Sequence, residues 1–136
     1  MKDATYLTNK KFSEFDLHPT LLHGLEDAGF EHCTPIQAET LPLLLTGQDV
    51  AGQAQTGTGK TGALALPILH KLAKSYANEK RRNPRALILA PTRELAIQIG
   101  DGFKTYGRYL KLQHTVIYGG VGQGPQVKAL NRGVDI

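Results

Sequence analysis

After a polar N-terminal arm, the first apolar stripe falls at Leu21, Leu22 and Leu25, on one face of a short helix opened by Pro19 and stopped by Gly29. A second helix is predicted from Thr34 through IQAETLPLLL to Gly47, bent at Pro42 because that ring removes a backbone donor from the helix interior. DVAGQA at 49 to 54 reads as a small strand leading into a glycine-rich turn. From Lys60 the helical period resumes and runs to about Tyr76 with Pro67 as a kink, and the charged NEKRRNPR at 78 to 85 is a surface loop. ALILA at 86 to 90 is a continuous apolar run of the kind buried on both faces of a parallel sheet. A helix over TRELAIQIGDGFKTYGRYL (92 to 110), a strand over LQHTVIYG (112 to 119), a short helix over GPQVKALNRG (124 to 133) and a further strand at VDI complete the pattern.

Strand and helix in alternation predict right-handed crossovers and an α/β fold with a doubly wound parallel sheet. No period of 20 to 50 residues recurs and no segment is of low complexity. With 136 residues, 40% hydrophobic and 21% charged, the chain is one domain or part of one. Its net charge of +4 fits an anionic partner without choosing between nucleic acid and nucleotide.

Cys33 is the single cysteine, so no internal disulfide can form and no C-x-x-C pair is available for a metal, which suits a reducing cytosol. The five histidines (18, 23, 32, 70 and 114) do not fall at ligand spacing. The N-terminus lacks an apolar signal region, and LPLLL and ALALPIL are too short to span a bilayer. A soluble, cytoplasmic protein is the expectation.

The candidate chemistry lies in AQTGTGKT, residues 54 to 61. This is P-loop spacing with Ala54 where the usual pattern has glycine. Gly57 and Gly59 would let successive N–H groups turn inward, and a helix N-terminus would add partial positive charge, so an anion is the natural guest. Lys60 would sit on the β- and γ-phosphates and the Thr61 hydroxyl would ligate Mg²⁺. The rival is the dinucleotide fingerprint G-x-G-x-x-G, which GTGKTG also satisfies; it calls for an acid about 20 residues on, where this chain has Lys80, Arg81 and Arg82. Upstream, TPIQ at 34 to 37 has two readings. Thr34 and Gln37 form a capping box with Pro35 at the first helical position, or Gln37 faces a bound nucleotide.

GFEHCTPIQ (29 to 37), AQTGTGKT, PTRELA (91 to 96) and the glycine pair 119–120 together resemble the Q motif, motif I, motif Ia and GG element of the DEAD-box RNA helicases, in family order and closest to bacterial members. The resemblance implies a P-loop NTPase of RecA-like fold that uses ATP and Mg²⁺ and binds RNA. It implies that Gln37 hydrogen-bonds the adenine edge, donating to N7 and accepting from N6, while Phe12 stacks on the ring. Ala54, Gln55, Thr56, Gly57, Thr58, Gly59, Lys60 and Thr61 would hold the phosphates, with Lys60 and Thr61 serving catalysis and Thr61 the metal. Pro91, Thr92 and Arg93 would touch the RNA backbone, and Gly119 and Gly120 would let a second phosphate approach. The plainer readings are a surface pair at Arg93–Glu94, a simple turn at 119–120, and a solvated face for the basic cluster at 80 to 85. Cys33 stands where many members have proline, with the helix-opening Pro35 retained.

No hydrophobic run ends in Asp-Glu, the pair such an ATPase needs for its metal and its attacking water. Residues 1–11 are therefore expected to be an N-terminal arm and 12–136 the first half of helicase domain 1, an incomplete sheet truncated before the DEAD motif. Such a piece would leave a sheet edge and an apolar face uncovered.

Overall fold

The computed structural model describes residues 6–55, 57, 59–75 and 83–136. Within them a 3-10 turn at Phe12–Glu14 precedes α1 (Pro19–Asp27), α2 (Pro35–Leu45), α3 (Lys60–Lys74), α4 (Arg93–Tyr106) and α5 (Gln123–Arg132). Each expected helix is present. The fourth ends four residues early, at Tyr106, where Gly107 N–H bonds Phe103 O at 2.9 Å and closes the last turn. Pro19 stands at the start of α1, and Pro42 and Pro67 lie inside α2 and α3.

α3 is the central element, with Gly62, Ala63, Ala65, Leu66, Leu69, His70, Leu72 and Ala73 all buried. Its Leu66 joins Phe12, Leu17, Leu25, Cys33 and Leu41 in one apolar cluster. Its Ala65 and Leu69 join Leu21 and Phe103 in a second, and Tyr106 packs against both. One small residue sets the approach of α4 to α1. A Cβ on Gly24 of α1 would stand 2.9 Å from the Tyr106 carbonyl oxygen, so α4 ends hard against α1. Cys33 is fully buried, and burial pushes its thiol up to about 11, which leaves it unreactive at neutral pH.

No strand is assigned among the described residues, so the expected strands at 49–54, 86–90, 112–119 and 134–136 are present only as non-helical segments. Three of them are nevertheless joined. Ile136 N–H donates to Gln113 O and Thr115 N–H to Ile136 O, both at 3.2 Å, which is the pairing of parallel neighbours, while Arg85 and Ala86 N–H reach Asp135 O from the other side. Asp135, 2% exposed, secures this junction: Oδ1 accepts from Arg85 Nη2 at 3.0 Å and Oδ2 from Gln113 N–H at 2.9 Å. Arg85 also donates to Ser75 O at 2.9 Å. Arg85 is exposed, as the solvated-face reading expects, and its guanidinium is in addition bonded into the fold; residues 80–82 lie outside the described residues.

The run ALILA departs from its expected burial. Ile88 packs on the second cluster, but Leu87 and Leu89 are 83% and 85% exposed, because no described residue covers that face. A cavity of about 400 Å³ opens there, between this run, α4 and the 114–117 segment.

His70 fastens α3 to the start of α1. Its Nδ1 accepts the His18 N–H at 3.0 Å, and burial, reinforced by Lys74, holds its pKa below the ordinary imidazole value. A group with a depressed folded pKa takes up its proton first in the unfolded chain. Its stabilisation is present above about pH 6.5 and is lost as the pH falls. Urea unfolding followed from about pH 7.5 to 5.5 is expected to show a falling midpoint, with a shallower fall in His70→Gln.

Candidate functional site

The glycine-rich loop meets α3 in a backbone conformation that only glycine adopts readily. Gly57 has φ +82° and Gly59 +89°, and Gly59 is the N-cap of α3. Among the described residues no side chain caps that end. The first-turn N–H groups of a 15-residue helix are therefore open to an anion, with the helix dipole behind them. Lys60 is exposed at this end, Gln55 is exposed, and Ala54 and Thr61 are half-buried. Thr56 and Thr58 lie outside the described residues.

Gln37 is brought against this loop by α2. The amide is 5% exposed and both its ends are bonded within the protein: Oε1 accepts the Thr34 N–H at 3.0 Å and Nε2 donates to the Gly59 carbonyl at 3.1 Å. The Gln37 limb of the capping box thus forms, and the same side chain braces the phosphate loop. The Thr34 hydroxyl oxygen is buried with no hydrogen-bond partner among the described residues. It lies 2.6 Å from where a Gly59 Cβ would stand, with Gln37 Nε2 at 2.7 Å from the same point. Gly62, one turn into α3, is crowded likewise by Gln37 Nε2 at 2.7 Å and Tyr106 Oη at 3.0 Å. Burial of the Tyr106 phenol raises its pKa.

Phe12 is 3% exposed and packs with Leu25, Cys33 and Leu41, and its N–H bonds Glu31 O at 3.0 Å. A cavity of about 380 Å³ adjoins it, lined among others by Lys11, Leu22, Phe30 and Glu31.

A second group forms at the N-terminus of α4. Thr92 caps the helix, its side chain accepting Leu95 N–H at 3.2 Å, and Pro91 and Arg93 beside it are exposed. Arg93 Nε lies 3.8 Å from Glu94 Oε1, so the surface pair is present. Its Nη1 also lies 3.0 Å from the place of a Gly120 Cβ, and Gly120 has φ +81°. The fold therefore joins PTRELA and the glycine pair at one place, although Arg93 and Gly120 are 27 positions apart in sequence (120 − 93). Gly119 is exposed beside it with open space around its Cα. Gln126 of α5 holds this turn, accepting Tyr118 N–H at 3.2 Å and donating to Tyr118 O at 3.1 Å.

These residues fit a nucleotide's phosphates: a left-handed glycine turn, a helix end that no described side chain caps, and an exposed lysine. Among the described residues no group of three His, Cys, Asp or Glu is arranged for a metal. A divalent cation would be held by the phosphates and the Thr61 hydroxyl. Sequence reasoning missed Gly62, Gly102, Tyr106 and Gln126. The two helix glycines carried the only visible signal, since glycine inside a helix calls for a packing reason.

The crowding at Gly62 has a measurable sign. Helix propensity alone makes Gly62→Ala favourable by about 1 kcal/mol. Overpacking against Gln37 and Tyr106 is expected to reverse this to a net loss of about 1–2 kcal/mol, read by urea unfolding; a stabilised variant would mean that both side chains yield.

Residues 34–136 match the sequence profile described as DEAD/DEAH box helicase. The chain is 54% identical over 132 residues to the ATP-dependent RNA helicase RhlB of Xanthomonas axonopodis pv. citri, covering 96% of this chain and 23% of that protein. It is 53% identical over 134 residues to the RhlB of Serratia proteamaculans, covering 97% and 31%. The chain thus spans between about a quarter and a third of the length of these relatives. Among solved structures, a DEAD box protein from the hyperthermophile Methanococcus jannaschii superposes with TM-score 0.77 at 36% identity, covering 92% of this chain and 34% of that one. The RNA-helicase Prp28 from Chaetomium thermophilum, solved bound to ADP, gives 0.80 at 35% identity, covering 93% and 30%.

Proposed function

The chain belongs to the DEAD/DEAH box helicase family, and on that premise we propose that it forms the adenine-nucleotide half of an ATP-dependent RNA helicase that works in the cytoplasm. The observation that carries the reading is the uncapped N-terminus of α3, where Gly57 and Gly59 turn at positive φ and Gln37 is bonded to the same loop.

In this reading Ala54 to Thr61 wrap the phosphates of ATP, Lys60 sits on the β- and γ-phosphates, and Thr61 ligates Mg²⁺, which neutralises the charge that develops on phosphoryl transfer. Gln37 caps, braces and reads at once. An amide oxygen has two lone pairs and an amide nitrogen two hydrogens; one of each is used inside the protein, which leaves one acceptor and one donor for N6 and N7 of adenine. Guanine presents two acceptors at that edge and is refused. Phe12 would stack on the adenine ring; in the structure its side chain is packed with Leu25, Cys33 and Leu41 beside the cavity lined by Lys11 and Phe30. Pro91, Thr92, Arg93, Gly119 and Gly120 contact the RNA backbone at the α4 terminus, and the sequence of the RNA goes unread. In the whole protein, ATP closes two domains on the RNA, one strand is bent and a short duplex opens, and hydrolysis releases it.

Titration of labelled ATP and GTP is expected to give clear preference for ATP. Lys60→Ala should weaken both nucleotides by roughly tenfold or more, through loss of a charge-assisted phosphate contact. Gln37→Ala should erase most of the preference, and an equal loss for both nucleotides would count against base reading. The 136-residue chain by itself carries no Asp-Glu pair at a strand end. It is expected to bind nucleotide without turnover, and RNA-stimulated phosphate release from it would overturn that expectation.

A further inference from the structure

We propose that Gly102 is a positioning residue for Thr61: the absence of a side chain at 102 lets α4 seat the Thr61 methyl, and the seat directs the hydroxyl that would ligate the nucleotide's magnesium ion. The proposal rests on the reading of Thr61 as the metal contact.

An ideal Cβ at Gly102 would lie 2.5 Å from Thr61 Cγ2 and 3.9 Å from Thr61 Cβ. The methyl is therefore the group that faces α4. Methyl and hydroxyl share one tetrahedral carbon, and χ1 of a β-branched residue in a helix is stiff, so holding the methyl also holds the hydroxyl. The wall against the first turn of α3 is completed by Tyr106, one turn further along the same face of α4. Its Cε2 is 3.8 Å from the Gly102 Cβ position, and its hydroxyl is 3.0 Å from that of Gly62. One residue of the wall is small enough to admit a methyl, and the other is large enough to cover the glycine beside it.

This arrangement accounts for Gly-Asp-Gly in the middle of α4, a composition that helix propensity opposes. Gly100 admits Val116 Cγ2 from the opposite side, at 2.4 Å from its own Cβ position, so α4 is thinned on both flanks. The flank at Gly100 serves packing of the 112–117 segment. The flank at Gly102 meets a residue of the phosphate loop.

The test uses the full-length protein and fluorescent ADP, titrated with Mg²⁺ and again with EDTA. The wild type is expected to bind more tightly with Mg²⁺. Gly102→Ala is expected to lose roughly tenfold of that Mg²⁺-dependent tightening, the usual range for disturbing a residue that orients a metal ligand, with its affinity in EDTA unchanged. Adding Thr61→Ser, which removes the methyl that the new Cβ would displace and keeps the hydroxyl, should recover part of the tightening. A Gly102→Ala variant that matches the wild type in both conditions overturns the proposal, as does an equal loss in both or a loss that Thr61→Ser fails to lessen. A wild type that binds no nucleotide, or binds it equally with and without Mg²⁺, overturns the underlying assignment and this proposal with it. Failure confined to the variants leaves that assignment standing.

Discussion

Three helices meet at the first turn of α3, and they come together only because side chains are missing there. Gly59 and Gly62 admit Gln37 from α2, Gly62 also admits the Tyr106 hydroxyl from α4, and Gly102 admits the Thr61 methyl. A methyl group at any of these glycines would stand under 3 Å from a neighbouring side-chain atom. Dense packing transmits such displacements instead of absorbing them. The phosphate loop therefore has its position set by the approach of α2 and α4 as much as by its own glycines.

That constraint explains why the loop can end in an uncapped helix. An open N-terminus leaves orphan donors, and a flexible glycine turn ahead of it is entropically expensive to order. Gln37 offsets part of this by bonding the Gly59 carbonyl, which also accepts Ala63 N–H at 3.1 Å. The donors stay free for a ligand while the carbonyl that precedes them is held. α3 in turn is anchored along its length by two apolar clusters and by the His18–His70 bond, so its N-terminal end is held by a packed core.

The second group of candidate residues depends on a different anchor. Asp135 ties 85–86 and 113–115 to the last residues of the chain through backbone and side-chain bonds. The segments that follow them carry Pro91 to Arg93 and Gly119–Gly120 to one place. Removing Arg85 would leave the buried Asp135 carboxylate without its charged partner, so the geometry of this group is coupled to Arg85. Leu87 and Leu89 stand exposed beside it, an apolar face of the kind that other protein surface normally covers.

Local chemistry was legible in the sequence. Proline and glycine punctuation located five helices to within a few residues, and the spacing of AQTGTGKT and TPIQ marked the glycine turn before α3 and the cap of α2, because those patterns act through bonds a few residues long. Long-range choices were not legible. Whether Gln37 caps or faces a bound nucleotide was an open alternative on sequence; the structure shows the cap and adds a bond to the Gly59 carbonyl that neither alternative contained, because α2 lies across α3. Arg85 read as a solvated charge and is bound to Asp135, fifty residues away. Leu87 and Leu89 read as buried on both faces and are exposed. The sequence by itself determined the elements and the residue types suited to an anion. Only the tertiary structure decided which side chains share a site, because glycine records the space available at a position without recording which neighbour fills it.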